Sequence, residues 1–208
     1  MHRLAVVEDD RAHVRSLSAL RDGVEHCRAC PLWRHATHGV AGAGRAHAQI
    51  VLVGEQPGDS EDLAGKPFIG PAGRLLDESL VAAGIDRKQA YVTNAVKHFK
   101  WEARGKRRIH KTPAQREIDA CMPWLEAERR IVRPEVIVCL GATASKALLG
   151  RAFKVSVERG KRIERNGRVY VTTIHPSAIL RMIDHDERVR ERARFVDDLR
   201  QVRAALQG

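Results

Sequence analysis

The chain has 208 residues, enough for one domain with a single hydrophobic core, and 37 Lys and Arg against 26 Asp and Glu leave a net charge of +11. An excess of this size favours a polyanionic partner, because phosphate contacts release counterions, although an Arg-rich composition can also serve solubility alone. No apolar run is long enough to cross a bilayer, and residues 1–13 lack the apolar core of a signal peptide, so we expect a cytoplasmic protein and no membrane partner.

The first half of the chain alternates between helix and strand patterns. Apolar residues at helical spacing predict a first helix that runs into a Cys-x-x-Cys pair: Val14, Leu17, Leu20 and Val24. A glycine-rich loop at 39–44 precedes the strand 48–54 and so does not form a dinucleotide-binding fingerprint. The Gly-Pro-Ala-Gly sequence at 70–73 opens a helix that Gly84 ends, and a second strand follows at 90–94.

The second half continues the alternation. The sequence Thr-Pro-Ala-Gln at 112–115 predicts a helix with Thr112 as N-cap, proline at its first position and glutamine completing a capping box. The near-continuous apolar run 135–141 is typical of a parallel strand buried on both faces. GATASK at 141–146 lacks the second glycine of a P-loop, so we discount it as a phosphate site. A strand that leads to His175 and a last amphipathic helix complete the pattern; the helix is marked by Phe195, Leu199, Val202 and Leu206.

Strands that alternate with helices predict a three-layer α/β/α domain with a central, mostly parallel sheet, and we expect residues 1–208 to form a single domain. In such sheets, ligands bind beyond the carboxyl ends of the strands. Glu55, Asn94 and His175 each fall at such an end. Three different polar residues at one edge of the sheet indicate a functional site.

The four cysteines point to metal or to buried thiols before disulfides, because a cytoplasmic compartment is reducing. Cys27 and Cys30 form a Cys-x-x-Cys pair, and with Cys121 and Cys139 they match the count of a zinc or iron–sulfur site. Cys139 lies inside the apolar run 135–141, however, where a cysteine is more often a small buried hydrophobe. A thioredoxin-like pair would need a strand directly before it, whereas a helix is predicted there.

Four motifs resemble those of the uracil-DNA glycosylase superfamily, in particular its iron–sulfur branch, which contains the family 4 enzymes and UdgX. Family 4 enzymes typically carry GEAPG, GxPFxGxAGxLL, Asn-x-x-Lys-Cys and HPS. This chain has GEQPG at 54–58, GKPFIGPAGRLL at 65–76, Asn-Ala-Val-Lys-His at 94–98 and HPSAIL at 175–180. The resemblance covers about residues 27–199.

Three departures from the family 4 pattern point the same way. Gln56 replaces the usual alanine, His98 stands where the third cysteine ligand would be, and an inserted loop holds KRRIH at 106–110. Because these features distinguish UdgX, the chain is identified as a UdgX-like member of the superfamily. The resemblance implies a structural 4Fe–4S cluster held by Cys27, Cys30, His98 and Cys121. Cys139 is the alternative to His98 as a ligand.

The resemblance also implies a substrate, uracil-containing DNA, with single strands preferred and the protein acting as a monomer on the bacterial nucleoid. The deoxyuridine would be flipped into a pocket. There Phe68 would stack on the base, Asn94 would read uracil O4 and N3–H, and His175 would hydrogen-bond O2 as negative charge gathers on the departing base. Gln56 and Asp59 are expected to bind the substrate as well.

His110 is the residue that the resemblance assigns to the sugar. It would attack C1′ where a family 4 enzyme uses water, leaving a covalent protein–DNA adduct, and Glu55 would orient the imidazole or accept its proton. The DNA phosphates would be contacted by Lys106, Arg107, Arg108 and Ser177. The positive end of the helix predicted at 112 would also attract a phosphate. Arg181 would help to fill the vacated stack.

Two other interpretations remain open at the level of the sequence. One is a conventional turnover glycosylase that releases uracil and leaves an abasic site. The other is a non-catalytic iron–sulfur module that binds DNA and retains only the fold. Formation of a covalent adduct, release of uracil without one, or neither, would distinguish the three. A zinc protein is a further interpretation, which the brown colour of a 4Fe–4S protein would exclude.

Overall fold

The structure is a computed structural model that describes residues 10–207. Most of the stretch that bears on a signal peptide therefore lies outside the described residues. The strands are β1 (Ile50–Gly54), β2 (Ala90–Asn94), β3 (Trp101–Arg104), β4 (Arg107–His110), β5 (Val136–Leu140), β6 (Arg162–Arg165) and β7 (Arg168–Thr173). The α-helices are α1 (Leu17–Glu25), α2 (Asp59–Ala64), α3 (Pro71–Ala82), α4 (Gln115–Val132), α5 (Ala142–Leu149), α6 (Val155–Glu158), α7 (Pro176–Leu180) and α8 (His185–Ala205).

Five strands form the central sheet in the order β2-β1-β5-β7-β6. The first four are parallel, and β6 pairs antiparallel with β7 at one edge. The predicted α/β fold with a mostly parallel sheet is therefore confirmed. The edge strand β6 was not anticipated, because its sequence RIER is short and carries three charged residues.

Helices cover both faces of the sheet, which explains the near-continuous apolar strands. Successive strand residues point to opposite faces, so Ile50 and Leu52 pack against α3 and α8, whereas Val51 and Val53 pack against α4 and α5. Cys139 belongs to the second of these cores and is fully buried, and burial raises its pKa to about 12. A thiol held protonated among apolar side chains is a packing residue, as the sequence indicated.

Two predicted features differ in the structure. The prediction of Thr112 as N-cap is wrong: α4 begins at Gln115, and the Glu117 carboxylate accepts the Ala114 N–H at 2.6 Å. The Glu117 carboxylate also brings a negative charge to the first turn of α4, which the predicted attraction of a phosphate to this helix end did not take into account. The inserted segment with KRRIH is also no irregular loop, since β3 and β4 pair as an antiparallel hairpin with Gly105 (φ 59°) in its turn.

None of the helices among the described residues is both long and apolar enough to cross a membrane.

Candidate active site

The carboxyl edge of the sheet gathers the polar residues that the sequence placed at strand ends. Glu55 follows β1, Asn94 ends β2 and His175 follows β7 by two residues. The pairing between β1 and β2 continues past the strands, because the Val96 N–H donates to the Glu55 carbonyl oxygen at 2.9 Å. The first turn of α5 adds Thr143 to the same edge, where its hydroxyl donates to the Glu55 carboxylate.

Close packing at Gly54 brings Asn94 and Phe68 together. A side-chain carbon at Gly54 would lie 2.4 Å from Asn94 Oδ1 and 2.8 Å from the Phe68 ring, so only glycine fits there. Phe68 itself has a left-handed backbone, with φ 58°, which is strained for an aromatic residue. Helix α3 approaches this backbone so closely that a side-chain carbon at Gly73 would overlap the Phe68 carbonyl oxygen. An aromatic face and an amide are thus fixed side by side.

A buried carboxylate joins the two glycine-containing loops of the site. Glu61 is 8% exposed and accepts the Gly58 N–H at 3.1 Å and the Gly70 N–H at 2.9 Å. The first glycine closes GEQPG and the second lies two residues after Phe68. Glu61 therefore holds the Phe68 loop against the loop that carries Glu55.

His175 is held in one tautomer by its neighbours. Its Nδ1 accepts the Ser177 N–H at 3.2 Å and lies 2.8 Å from Ser177 Oγ, which in turn accepts from Arg181 at 3.1 Å. Burial lowers the pKa of His175 to about 4, so the ring is neutral at physiological pH. Its hydrogen must then sit on Nε2, which is free to donate. The ring stacks on Phe68 with centroids 6.2 Å apart.

His110 ends β4 beside Glu55. Its Nε2 lies 3.3 Å from Glu55 Oε1, and its ring packs on buried Phe99 with centroids 6.2 Å apart. Burial opposes ionisation of Glu55, yet interactions with His110 and Thr143 outweigh it and lower the pKa of the carboxyl below its ordinary value. The imidazole is 49% exposed. A carboxylate therefore holds a solvent-accessible imidazole at the edge of the site.

Gln56, which the sequence predicts to bind the substrate, contacts the hairpin. Its amide nitrogen donates to the carbonyl oxygens of Lys100 at 3.2 Å and Lys111 at 3.0 Å, and its amide oxygen accepts the Lys100 N–H at 3.1 Å. Lys100 and Lys111 are the residues that directly flank the hairpin. One buried side chain thus closes the base of the hairpin that ends in His110.

Arg108, which the sequence predicts to contact phosphate, anchors the hairpin through two carboxylates. Its guanidinium lies 2.6 Å from Asp59 and 2.6 Å from fully buried Asp62, and it covers the rings of Phe99 and Trp101 at 5.5 and 5.4 Å. Burial opposes its charge, but these two carboxylates outweigh it and raise the pKa of Arg108. Asp59, which the sequence predicts to bind the substrate, is therefore an ion-pair partner of the hairpin in this structure.

The remaining basic residues of KRRIH are open to solvent. Lys106 and Arg107 are exposed at the hairpin turn and form none of the ion pairs found in residues 10–207. Of the three basic residues predicted to contact phosphate, these two are placed where a polyanion could reach them.

The residues predicted to hold the iron–sulfur cluster lie on three separate segments of the chain. Cys27 and Cys30 follow α1, Cys121 lies on the buried face of α4, and a hydrogen bond from Cys121 lowers the pKa of Cys30 to about 6. His98 is 3% exposed, and its Nδ1 is buried without a hydrogen-bond partner. Across residues 10–207, no three His, Cys, Asp or Glu side chains lie close enough to hold a single metal ion. A cluster of several irons spreads its ligands over separate corners, so an acidic thiol and an unpartnered buried imidazole fit it as ligands.

An ion pair lies directly behind β2. Lys97 and Glu128 are both fully buried, and Lys97 Nζ lies 2.7 Å from Glu128 Oε2. The ammonium group also donates to the Thr93 hydroxyl at 2.7 Å and to the Asn94 carbonyl oxygen at 2.8 Å. The pair therefore ties the residue that would read the base to helix α4.

Sequence reasoning missed several of these positioning residues. GATASK resembles only an incomplete phosphate loop, which gives Thr143 no functional signature, and no motif marks Glu61 or Asp62. A signal was available: acidic residues follow GEQPG directly at 59, 61 and 62, and Thr143 follows a strand whose end lies at the same edge. What each contacts depends on segments far away in the chain.

An α/β sheet with a carboxylate, an amide and two imidazoles at one carboxyl edge defines a protein with an enzyme-like site. A model of the Uracil DNA glycosylase superfamily matches residues 41–200. The chain is 38% identical over 167 residues to a Type-4 uracil-DNA glycosylase of Thermotoga maritima, covering 79% of this chain and 83% of that protein. A Type-4 uracil-DNA glycosylase of Pyrobaculum aerophilum is 35% identical over 175 residues, covering 79% of this chain and 85% of that protein. A Type-5 uracil-DNA glycosylase of the same organism is 28% identical over 181 residues, covering 78% of this chain and 76% of that protein. The chain belongs to the uracil-DNA glycosylase superfamily.

Proposed function

We propose that this protein excises uracil from DNA and that His110 then bonds covalently to C1′ of the deoxyribose. The excision step follows from the superfamily and from the names of the type-4 relatives. The covalent step rests on one observation, the 3.3 Å approach of His110 Nε2 to Glu55 Oε1 at the sheet edge. A histidine held by a carboxylate is the arrangement that activates an imidazole.

Three side chains would bind the flipped base. Phe68 would stack on it, and Asn94 would donate to uracil O4 and accept from N3–H, a pattern that cytosine reverses. His175, neutral and with its hydrogen on Nε2, would donate to O2. A donor aimed at the oxygen where negative charge develops lowers the barrier to bond cleavage, and such donors are commonly the largest catalytic contribution.

The bond between C1′ and uracil N1 breaks, and its electron pair leaves with uracil, which takes a proton from solvent. The nitrogen of His110 that faces Glu55 carries the ring hydrogen, so the opposite nitrogen has the free lone pair and forms the bond to C1′. The ring becomes a cation, and Glu55 stabilises it and accepts its proton.

The hairpin positions this nucleophile. Gln56 closes its base with three hydrogen bonds, and Arg108 pins its second strand to Asp59 and Asp62. Without such anchors a histidine at the end of a short two-stranded hairpin would be poorly ordered, since an isolated hairpin is only marginally stable in water. Because these contacts occupy Arg108, phosphate binding would fall to Lys106, Arg107 and Ser177, and Arg181 would help to fill the stack that the flipped base vacates.

A 4Fe–4S cluster would be held by Cys27, Cys30, Cys121 and His98. When bound, it would supply a covalent tie between the segment after α1, helix α4 and the segment after β2. His98 is four residues beyond Asn94, so its ligation would restrain the end of β2. We also propose that the protein is a monomer of one domain. It would act in the cytoplasm on single-stranded DNA.

The test is covalent capture. Protein mixed with a uracil-containing single-stranded oligonucleotide should give a band that survives SDS and heat, with the intact mass of protein plus oligonucleotide minus uracil. His110→Ser should abolish the band and release uracil, because water then reaches C1′. His185→Ser, at an exposed histidine of α8, is the matched control and should crosslink normally. If His110→Ser still forms the adduct, another residue is the nucleophile.

A turnover glycosylase is the second candidate, and the type-4 names of the relatives at 35–38% identity favour it. In that case the unchanged protein would release many equivalents of uracil per equivalent of protein. It would leave an abasic site and no heat-stable band.

A further inference from the structure

The β5–α5 turn reaches the active site although its sequence resembles no catalytic motif. Gly141 has φ 90°, a conformation that favours glycine, and a side-chain carbon there would lie 3.1 Å from His175 Cβ. Two residues later, Thr143 donates its hydroxyl hydrogen to Glu55 Oε2. One turn therefore contacts two residues that the proposed reaction uses.

We propose that Thr143 is a positioning residue that orients the Glu55 carboxylate toward His110. The inference rests on the proposed function and extends it from a pair of residues to three. Glu55 Oε2 is taken by Thr143, while Oε1 faces His110 Nε2. A carboxylate that is bound through one oxygen cannot rotate that oxygen toward the imidazole, so the other oxygen stays on the ring.

The surroundings of Glu55 explain why a hydroxyl is needed there. The groups that face its carboxylate are Thr143 from the first turn of α5, His110 from the hairpin and His175 from the segment after β7. His175 is neutral and its Nδ1 is committed to Ser177, so Thr143 is the neighbour that supplies a hydrogen bond without taking part in the chemistry. A hydrogen bond to a charged oxygen stabilises the ionised form that must receive a proton.

The experiment compares Thr143→Val, which keeps the shape and removes the hydroxyl, with Thr143→Ser, which keeps the hydroxyl. Single-turnover adduct formation and uracil release are both recorded between pH 5 and pH 9, together with the affinity for uracil-containing DNA. We expect Thr143→Val to slow adduct formation by about 10-fold to 100-fold, the loss of one hydrogen bond to a charged group, with unchanged affinity. The acid limb of its pH profile should move to higher pH, because Glu55 loses a donor that favours its ionised form. Thr143→Ser should restore most of the rate.

Two controls separate positioning from folding. Ser145→Ala removes a neighbouring hydroxyl of the same helix, one that bonds the Gly141 carbonyl oxygen at 2.8 Å, and should leave the pH profile in place. In a Glu55→Gln background, Thr143→Val should have little further effect, because the residue it orients is already altered.

The outcomes are distinct. If the unchanged protein forms no adduct, the proposed function fails, and uracil release still tests Thr143. If the unchanged protein forms the adduct and Thr143→Val matches it in rate and pH profile, the inference about Thr143 is overturned. It is equally overturned if Thr143→Val and Glu55→Gln have additive effects.

Discussion

Replacing Lys97 with methionine should destabilise this protein far more than the small change in side-chain volume suggests. The Glu128 carboxylate has no exposure to solvent. It accepts hydrogen bonds from Lys97 Nζ and the Thr93 hydroxyl at 2.7 Å, from the Gly42 N–H at 2.8 Å and from the Tyr91 hydroxyl at 3.2 Å. Methionine fills a similar volume, but it leaves a buried negative charge without its counter-ion.

The size of the effect follows from the burial of both charges. Breaking one side of a buried ion pair typically costs about 3–5 kcal/mol, a large part of the total stability of an ordinary domain. For a chain of this length, each kcal/mol shifts Tm by about 2–4 °C, so we expect a fall of roughly 6–20 °C. A second change, Glu128→Gln, removes the stranded charge and keeps an oxygen that can accept hydrogen bonds. The double variant Lys97→Met/Glu128→Gln should therefore recover at least half of the loss.

The assay is equilibrium urea unfolding followed by circular dichroism, with anaerobic buffers to protect the thiols. Lys88→Met, at an exposed lysine, is the matched control and should change stability by no more than about 0.5 kcal/mol. A cost below about 1 kcal/mol for Lys97→Met, or a double variant no more stable than the single one, would refute the reasoning. Either result would mean that the carboxylate is not held as a charge in a dry interior.

Two other predictions address the hairpin and the buried histidine. Lys106→Ala should weaken binding to single-stranded DNA and reduce the slope of log K against log salt by about 0.7, because one phosphate contact is lost, whereas Arg108→Ala should slow adduct formation with no change in that slope. Equal slopes for the two variants would return Arg108 to the phosphate-binding set. His175 has a folded pKa of about 4 and an unfolded value near 6.5, so the folded state binds fewer protons and stability is lost as the pH falls through that window, by roughly 3 kcal/mol in all. In His175→Gln this part of the pH dependence should be missing from urea unfolding curves, and parallel curves for the two proteins would contradict the assignment.

Local features of the chain were sufficient for the fold and for the edge at which the site lies. The apolar runs that end at Gly54 and Leu140 predict strands buried on both faces, because helices pack against both faces of a parallel sheet. The parallel order then requires that residues after these strands share an edge. Glu55, Asn94 and His175 could therefore be grouped before any coordinates were known. The start of α4 and the antiparallel strand β6 could not be predicted in this way. Helix ends depend on single hydrogen bonds, and an edge strand needs no apolar pattern.

The partners of the site residues were decided by the tertiary structure. Gln56 lies within GEQPG and Asp59 directly follows it, so both are expected to bind the substrate. In the structure the first meets Lys111, 55 positions away, and the second meets Arg108, 49 positions away. Thr143 reaches Glu55 across 88 positions. Sequence patterns report which face of an element is buried, because burial follows the period of the strand or helix. They do not report which polar group is met at the end of a turn, since that depends on how separate segments pack to within a few tenths of an ångström. The residue types needed for the proposed chemistry were therefore readable from the chain, whereas their division into reacting and positioning groups became visible only in the folded molecule.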